Sequence, residues 1–351
     1  MHRTAFIGCY SHGQQWLKLI SSHLIFFSAI VLALSYSYFI SSNLPTGIYR
    51  FISLLPIFYL FTILPLLLSS AFATAVAAFF LTWLANFKLI LFAFNHGPLH
   101  PQKSLTQFIA IASLPAKIKS DSSKSNNKSP LIVSIQSLVF PLLISFLYKH
   151  KQNLNTQIVL IIYCFLVFLL VDLLVFVSNA VIWTVVGVEL DPPSDEPYLA
   201  TSLQDFWGRR WNLMVTNILR HTVYKPVKLF LTGKDWDWVV AVLATFVVSG
   251  LMHELLFYYV TRVSPTWETT SFFVLHGVCV VVELSVKRAL AGKLEFPVVV
   301  SRLLTVGFVV VTSFWLFFPP LIESGADVKV IEEFKLFVDY VYVKTLCIHL
   351  V

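Results

Sequence analysis

Charge is what this sequence lacks. Of its 351 residues, 12% are charged and 57% are hydrophobic, where a soluble domain carries about 25% charged residues. That shortage excludes a water-soluble globular chain and indicates an integral membrane protein. Cysteine is also scarce. Cys9, Cys164, Cys279 and Cys347 are widely scattered, with no C-x-x-C spacing, so neither a zinc ribbon nor a disulfide framework is indicated. Cys164 and Cys279 read as small apolar residues of membrane helices. A second histidine is missing from HELLF (253–257), which starts like the zinc-protease pattern H-E-x-x-H and ends on Phe257. That reading therefore fails, and no metal is expected. No internal repeat is visible.

What is present is a series of long apolar runs. Length and apolarity predict eight spans, over about 24–40, 51–69, 72–94, 131–148, 157–181, 239–260, 270–286 and 298–318. The fifth continues towards Val188. Pro56 and Pro65 predict kinks in the second, which neighbours must repair by satisfying the freed carbonyls. Spans two and three nearly abut, so the turn at Ser69–Ser70 must be tight. A polar leader over 1–23 precedes the first run, which could serve as an uncleaved signal anchor. After the membrane domain of 24–320, the tail 321–351 has mixed polarity and reads as an amphipathic helix in the interface.

The formal charge of +7 belongs to topology rather than to nucleic acid. The connections 95–130, 182–238 and 287–297, together with Arg50, hold fifteen of the 25 Lys and Arg, and the opposite side holds eight. The positive-inside rule places those connections in the cytosol and both termini outside it. The tract SDSSKSNNKS (120–129) has the composition of a disordered linker.

Two stretches carry candidate chemistry. In YLATSLQDFWGRRWNLMVTNILRHTVYKPV (198–227), Trp207 and Trp211 bracket Gly208, Arg209 and Arg210. Ser202 and Asp205 have the spacing of an N-cap and its third position. On a continuous helix Asp205, Arg209 and Asn212 share one face, and Trp207 and Trp211 share another. Such an element is either an interfacial anchor or a ligand site whose arginines attract a phosphate. In VVSGLMHELLFYYV (247–260), His253 and Glu254 stand inside an apolar run. His253 lies about 21 Å from the cytosolic end of its span. It is either a structural histidine bonded to a carbonyl or a neutral imidazole able to take a proton from an alcohol. Glu254 points about 100° away and is expected to pair with an arginine. Lys88, Asp172, His276, Glu283 and Arg302 are further intramembrane ionisable groups, and pairing is the reading favoured for each.

SLQDFWGRRWN (202–212) followed by SGLMHE (249–254) resembles the plant wax synthase branch of the membrane-bound O-acyltransferase superfamily. ANFKLILFAFNHGPL (85–99) and LPAKIK (114–119) are similar to the same branch. The resemblance covers roughly residues 30 to 320. It implies an all-α, multi-pass fold enclosing a catalytic tunnel, in the endoplasmic reticulum membrane. It implies transfer of a fatty acyl group from acyl-CoA, a co-substrate and not a resident cofactor, to a long-chain alcohol or a sterol. His253 matches the family's intramembrane histidine and is assigned the general base. Asn212 matches the loop asparagine and positions the thioester or steadies the oxyanion. Asp205, Trp207, Arg209, Arg210, Trp211 and Glu254 are the accompanying substrate-binding candidates. No nucleophile with a partner base is evident, so direct transfer is expected. Acyl-CoA, the acceptor and membrane lipid are the expected partners, and the oligomeric state is open. The alternative from another class is a proton-coupled transporter of a lipid or small solute, against which the missing inverted repeat counts.

Overall fold

A computed structural model describes residues 24–40, 43–99, 104–115, 130–187, 194–290 and 296–336. The leader 1–23, the tract 120–129 and the tail beyond 336 lie outside them. Among the described residues the protein is helical, with no strand. Seven helices among them are long and apolar enough to cross a membrane. These are α2 (Ile48–Leu67), α3 (Ala71–Ala93), α5 (Ile132–Asn153), α6 (Thr156–Val186), α8 (Asp237–Thr261), α9 (Glu268–Ala289) and α10 (Val298–Phe317). The first predicted span is the shorter apolar helix α1 (Leu24–Ile40). The connections include the shorter helices α4 (Leu105–Ser113) and α7 (Leu213–Leu219). Helix α11 covers 326–336.

Local chemistry explains where helices bend and stop. Pro65 has no N–H to give to the carbonyl of Phe61, and α2 tightens into a 3₁₀ turn over Leu64–Leu67. The Thr82 hydroxyl of α3 donates to that freed Phe61 carbonyl at 2.7 Å. Helix α6 runs on to Val186 and ends at Gly187, whose φ of 69° is open to glycine at little cost. Between α2 and α3 the turn is as tight as expected. The Ser70 hydroxyl accepts from Ala73 N at 3.1 Å and caps α3.

Helices α8 and α9 form the closest antiparallel pair. A methyl group on Gly250 would stand 3.0 Å from the Thr270 Cα, and one on Gly277 would stand 2.8 Å from the Phe246 Cβ. Two small residues therefore let the two backbones approach, as close packing in a membrane requires. The Arg288 guanidinium lies 3.9 Å over the Trp238 ring and closes the far end of the pair.

Polar side chains tie the helix ends into two layers. At one end Arg50 donates to the carbonyls of Leu44 (2.8 Å) and Phe92 (3.3 Å). Lys88, wholly buried, donates to the carbonyls of Ile111 (2.7 Å) and Leu114 (2.5 Å). Lys88 thus caps α4 and joins the stretch 85–99 to the start of LPAKIK. At the other end Arg262 donates to the carbonyls of Pro65, Leu66 and Leu68. The Glu333 carboxylate on α11 accepts from Ser70 Oγ, Ala71 N and Phe72 N. Asp327 bonds Lys151 and the Tyr163 hydroxyl. The described part of the tail is therefore bound to α3, α5 and α6, with Phe334 against Phe140.

Candidate active site

His253 sits in an aromatic box. Its ring stacks on Phe273 of α9 at 4.2 Å, and meets Trp83 of α3 edge-on at 4.9 Å and Phe317 of α10 at 5.9 Å. The Gly250 and Gly277 contacts bring α9 near enough for that stack. Nδ1 lies 2.8 Å from the Ser249 carbonyl one turn back. A carbonyl only accepts, so Nδ1 carries the proton and Nε2 presents its lone pair. Among the described residues Nε2 has no hydrogen-bond partner.

Glu254, next in sequence, has a different task. It is 5% exposed. One carboxylate oxygen accepts from Trp267 N at 2.9 Å, and the other accepts from Thr270 N and Oγ1, both at 3.1 Å. These are orphan donors at the first turn of α9, where the helix dipole favours an anion. Among the described residues the expected arginine partner is not there, and Glu254 caps α9.

The loop motif also departs from expectation. Ser202 is the N-cap as expected, with its hydroxyl accepting from Asp205 N at 3.1 Å. Beyond Asp205 the chain widens into a π turn over Phe206–Arg210, then breaks, with Trp211 extended and Asn212 at φ 40°. The continuous-helix faces therefore do not form. Contacts follow a spacing of five instead. Asp205 Oδ2 pairs with Arg210 Nε at 2.7 Å, and Phe206 stacks on Trp211 at 5.9 Å. Arg210 also donates to the Asp195 and Glu196 carbonyls, so its guanidinium is spent inside the loop. Arg209 is exposed and has no partner among the described residues. Trp207 turns inward to Phe273 (5.6 Å) and His276 (5.4 Å), while Trp211 faces Phe168 of α6.

Asn212 begins α7. Its Oδ1 accepts from Val215 N at 3.3 Å, which leaves Nδ2 as the end able to reach a ligand. It makes no hydrogen bond to His253. The two are linked through packing, since Val215 of α7 and Trp83 share one apolar cluster with Met252 against it.

The other intramembrane ionisable groups singled out in the sequence are bonded. Asp172 accepts from Gln136 (3.0 Å) and Ser194 (2.7 Å). Glu283 accepts from Leu203 N (2.7 Å) and Lys287 (2.6 Å). Arg302 donates to the Leu199 carbonyl at 3.3 Å. His276 repeats the Nδ1 bond of His253, to the Phe272 carbonyl at 2.8 Å, and its Nε2 lies 3.4 Å from Thr312 Oγ1. Trp83 is the residue the sequence reading passed over. Its one signal was its place just ahead of the ANFK stretch.

Fold and site together define a polytopic helical membrane protein that presents an unpartnered imidazole nitrogen inside an aromatic box. The profile of the Membrane bound O-acyl transferase family matches residues 190–275, a stretch holding both the loop motif and His253. The chain is 44% identical over 324 residues to a probable long-chain-alcohol O-fatty-acyltransferase 3 of Arabidopsis thaliana, covering 90% of this chain and 94% of that protein. It is 43% identical over 330 residues to the long-chain-alcohol O-fatty-acyltransferase of Simmondsia chinensis, covering 90% and 94%. It is 41% identical over 317 residues to the acyl-CoA–sterol O-acyltransferase 1 of Arabidopsis thaliana, covering 87% and 92%. The chain belongs to the membrane-bound O-acyltransferase family, in the branch that holds these relatives, and is a multi-pass acyltransferase. The transporter reading is set aside.

Proposed function

We propose that this chain transfers a fatty acyl group from acyl-CoA to the hydroxyl of a long-chain alcohol or a sterol, in the endoplasmic reticulum membrane. The names of the relatives supply both acceptor classes. One observation carries the chemistry: His253 Nε2 has no partner among the described residues in an aromatic box, while the neighbouring Glu254 is committed to structural bonds. In the reaction Nε2 takes the acceptor's hydroxyl proton as the oxygen attacks the thioester carbonyl carbon. A C–O bond forms, the C–S bond breaks, and the imidazolium returns the proton to the departing thiolate. Ester and CoA leave, and the histidine is as it began. Asn212 Nδ2 steadies the donor as charge develops on its carbonyl oxygen. Arg209, exposed at the loop, meets the nucleotide phosphates on the cytosolic side. The acceptor enters from the bilayer through a tunnel between the helices. The aromatic walls keep out water, which would otherwise take the acyl group.

The test uses microsomes holding the full chain, one labelled acyl-CoA, and a panel of fatty alcohols and sterols. Ester should form with one acceptor class, and His253→Ala should lower turnover about 10²–10⁴-fold with the protein still inserted. Near-normal turnover in that variant removes His253 from the mechanism.

A further inference from the structure

Helix α3 carries two buried polar groups that nothing among the described residues satisfies. Among the described residues, Trp83 Nε1 and Asn86 Oδ1 are enclosed and have no hydrogen-bond partner. Trp83 is 2% exposed and Asn86 is 8% exposed. A buried donor or acceptor left unmade costs about 1–3 kcal/mol, so such groups point to a ligand that completes them. The Trp83 ring meets His253 at 4.9 Å, and Asn86 follows about one turn further along the helix. Trp207 Nε1 is also unpartnered, but its ring faces His276 and Phe273 rather than His253.

The same helix has an apolar side in the other direction. A narrow crevice lies beside Trp83, lined by Ala78, Thr82, Leu255, Leu256 and Tyr259. Along α3 the order is therefore an apolar crevice, an indole N–H at the histidine, and a carboxamide nearer the Ala93 end. The segment Ala78–Ala85 is π-helical, a local widening often found at functional sites. An acyl-CoA has the same order: hydrocarbon chain, thioester carbonyl, then a two-carbon arm ending in the first pantetheine amide. That arm spans about one helical turn when extended.

Resting on the acyl-CoA reading above, we infer that α3 from Ala78 to Asn86 is the track for the acyl donor. The chain lies at the Ala78 crevice, Trp83 Nε1–H donates to the thioester carbonyl oxygen, and Asn86 Oδ1 accepts the first pantetheine N–H. Trp83 thereby meets the oxygen that becomes negative when the alcohol adds, and it does so beside the base that activates the alcohol.

The experiment compares three donors of one acyl chain in microsomes: the CoA thioester, the N-acetylcysteamine thioester, which keeps the first amide, and an S-butyl thioester, which lacks it. The wild type should prefer the amide-bearing donor over the S-butyl donor in kcat/KM by about five- to tenfold. Asn86→Leu removes an unsatisfied acceptor, so it should fold, and it should shrink that preference to within twofold. Trp83→Phe should lower kcat about 10²-fold with all three donors and move KM less than threefold. Should that variant fail to accumulate, benzothienylalanine at position 83 keeps the bicyclic shape and removes only the N–H, with the same expectation. An unchanged donor preference in Asn86→Leu, or a kcat within threefold of wild type at either position-83 variant, overturns the track. If the wild type forms ester and His253→Ala does not, such a result leaves the proposed function standing. A wild type that forms no ester from any donor removes both.

Discussion

Replacing Glu254 separates a structural carboxylate from a substrate contact. In the wild type this group accepts three hydrogen bonds, from Trp267 N, Thr270 N and Thr270 Oγ1. It does so at the start of α9, where an anion gains about 0.3–1 kcal/mol from the dipole and up to about 2 when partly buried. Glu254→Gln keeps one acceptor oxygen of the same shape and loses the charge. A charge-assisted bond is worth about 1.5–3 kcal/mol against about 1 for a neutral one, so this variant should lose about 2–3 kcal/mol. Glu254→Leu leaves two N–H groups and a hydroxyl without an acceptor, and each buried orphan costs about 1–3 kcal/mol. A loss of about 3–5 kcal/mol is expected there. The assay is the temperature at which the detergent-solubilised protein aggregates, read beside turnover per folded molecule. Stability should fall in the order wild type, Gln, Leu, and the KM for acyl-CoA of the folded Gln variant should stay within twofold. A Gln variant as stable as wild type, with KM raised tenfold, would refute the cap and return Glu254 to the substrate.

Asn212→Asp keeps the oxygen that caps α7 and removes the amide donor, so kcat should fall about 10²-fold with stability nearly unchanged. Asn212→Ala should add a stability loss of about 1 kcal/mol from the missing cap, and equal kcat in Asp and wild type would show that only the cap matters. Arg209→Ala should raise the KM for acyl-CoA several-fold, most at low salt. Arg210→Ala should instead loosen the loop by breaking the Asp205 pair, and appear as protease sensitivity; the reverse pattern would exchange their roles. A tag inserted in the 120–129 tract should be cut by protease in sealed microsomes, and shielding there would overturn the cytosolic placement of the loops.

The spans were legible because lipid allows few solutions. A run of about 20 apolar residues has to be a helix, and the ends fell within a few residues of expectation. The first run stands as α1 at the expected bounds, Leu24–Ile40, among the described residues. The loop from 198 to 227 was less legible for a definite reason. Helical face arguments assume a turn of 3.6 residues. Phe206–Arg210 is wound wider, so partners stand five apart, and Asp205 finds Arg210 where the pattern offered Arg209. Ser202 was read correctly because an N-cap depends on spacing before that widening begins.

His253 and Glu254 show what spacing cannot say. Adjacent on one helix, they differ by about 100° in direction, and that angle decides their chemistry. Glu254 turns towards the start of α9, where the connection after α8 folds back and brings three donors within reach. The sequence displays side chains but not the unpaired backbone of a neighbouring helix, so an arginine was the only partner it could suggest. His253 turns the other way, into rings that give its Nε2 nothing to bond. A neutral imidazole survives that environment at far lower cost than a bare carboxylate would. The pair is thus arranged so that the group needing partners has them all, and the group able to do without keeps one nitrogen open. Trp83 follows the same logic from the facing helix. Its indole is buried against that histidine, and among the described residues its N–H has no partner.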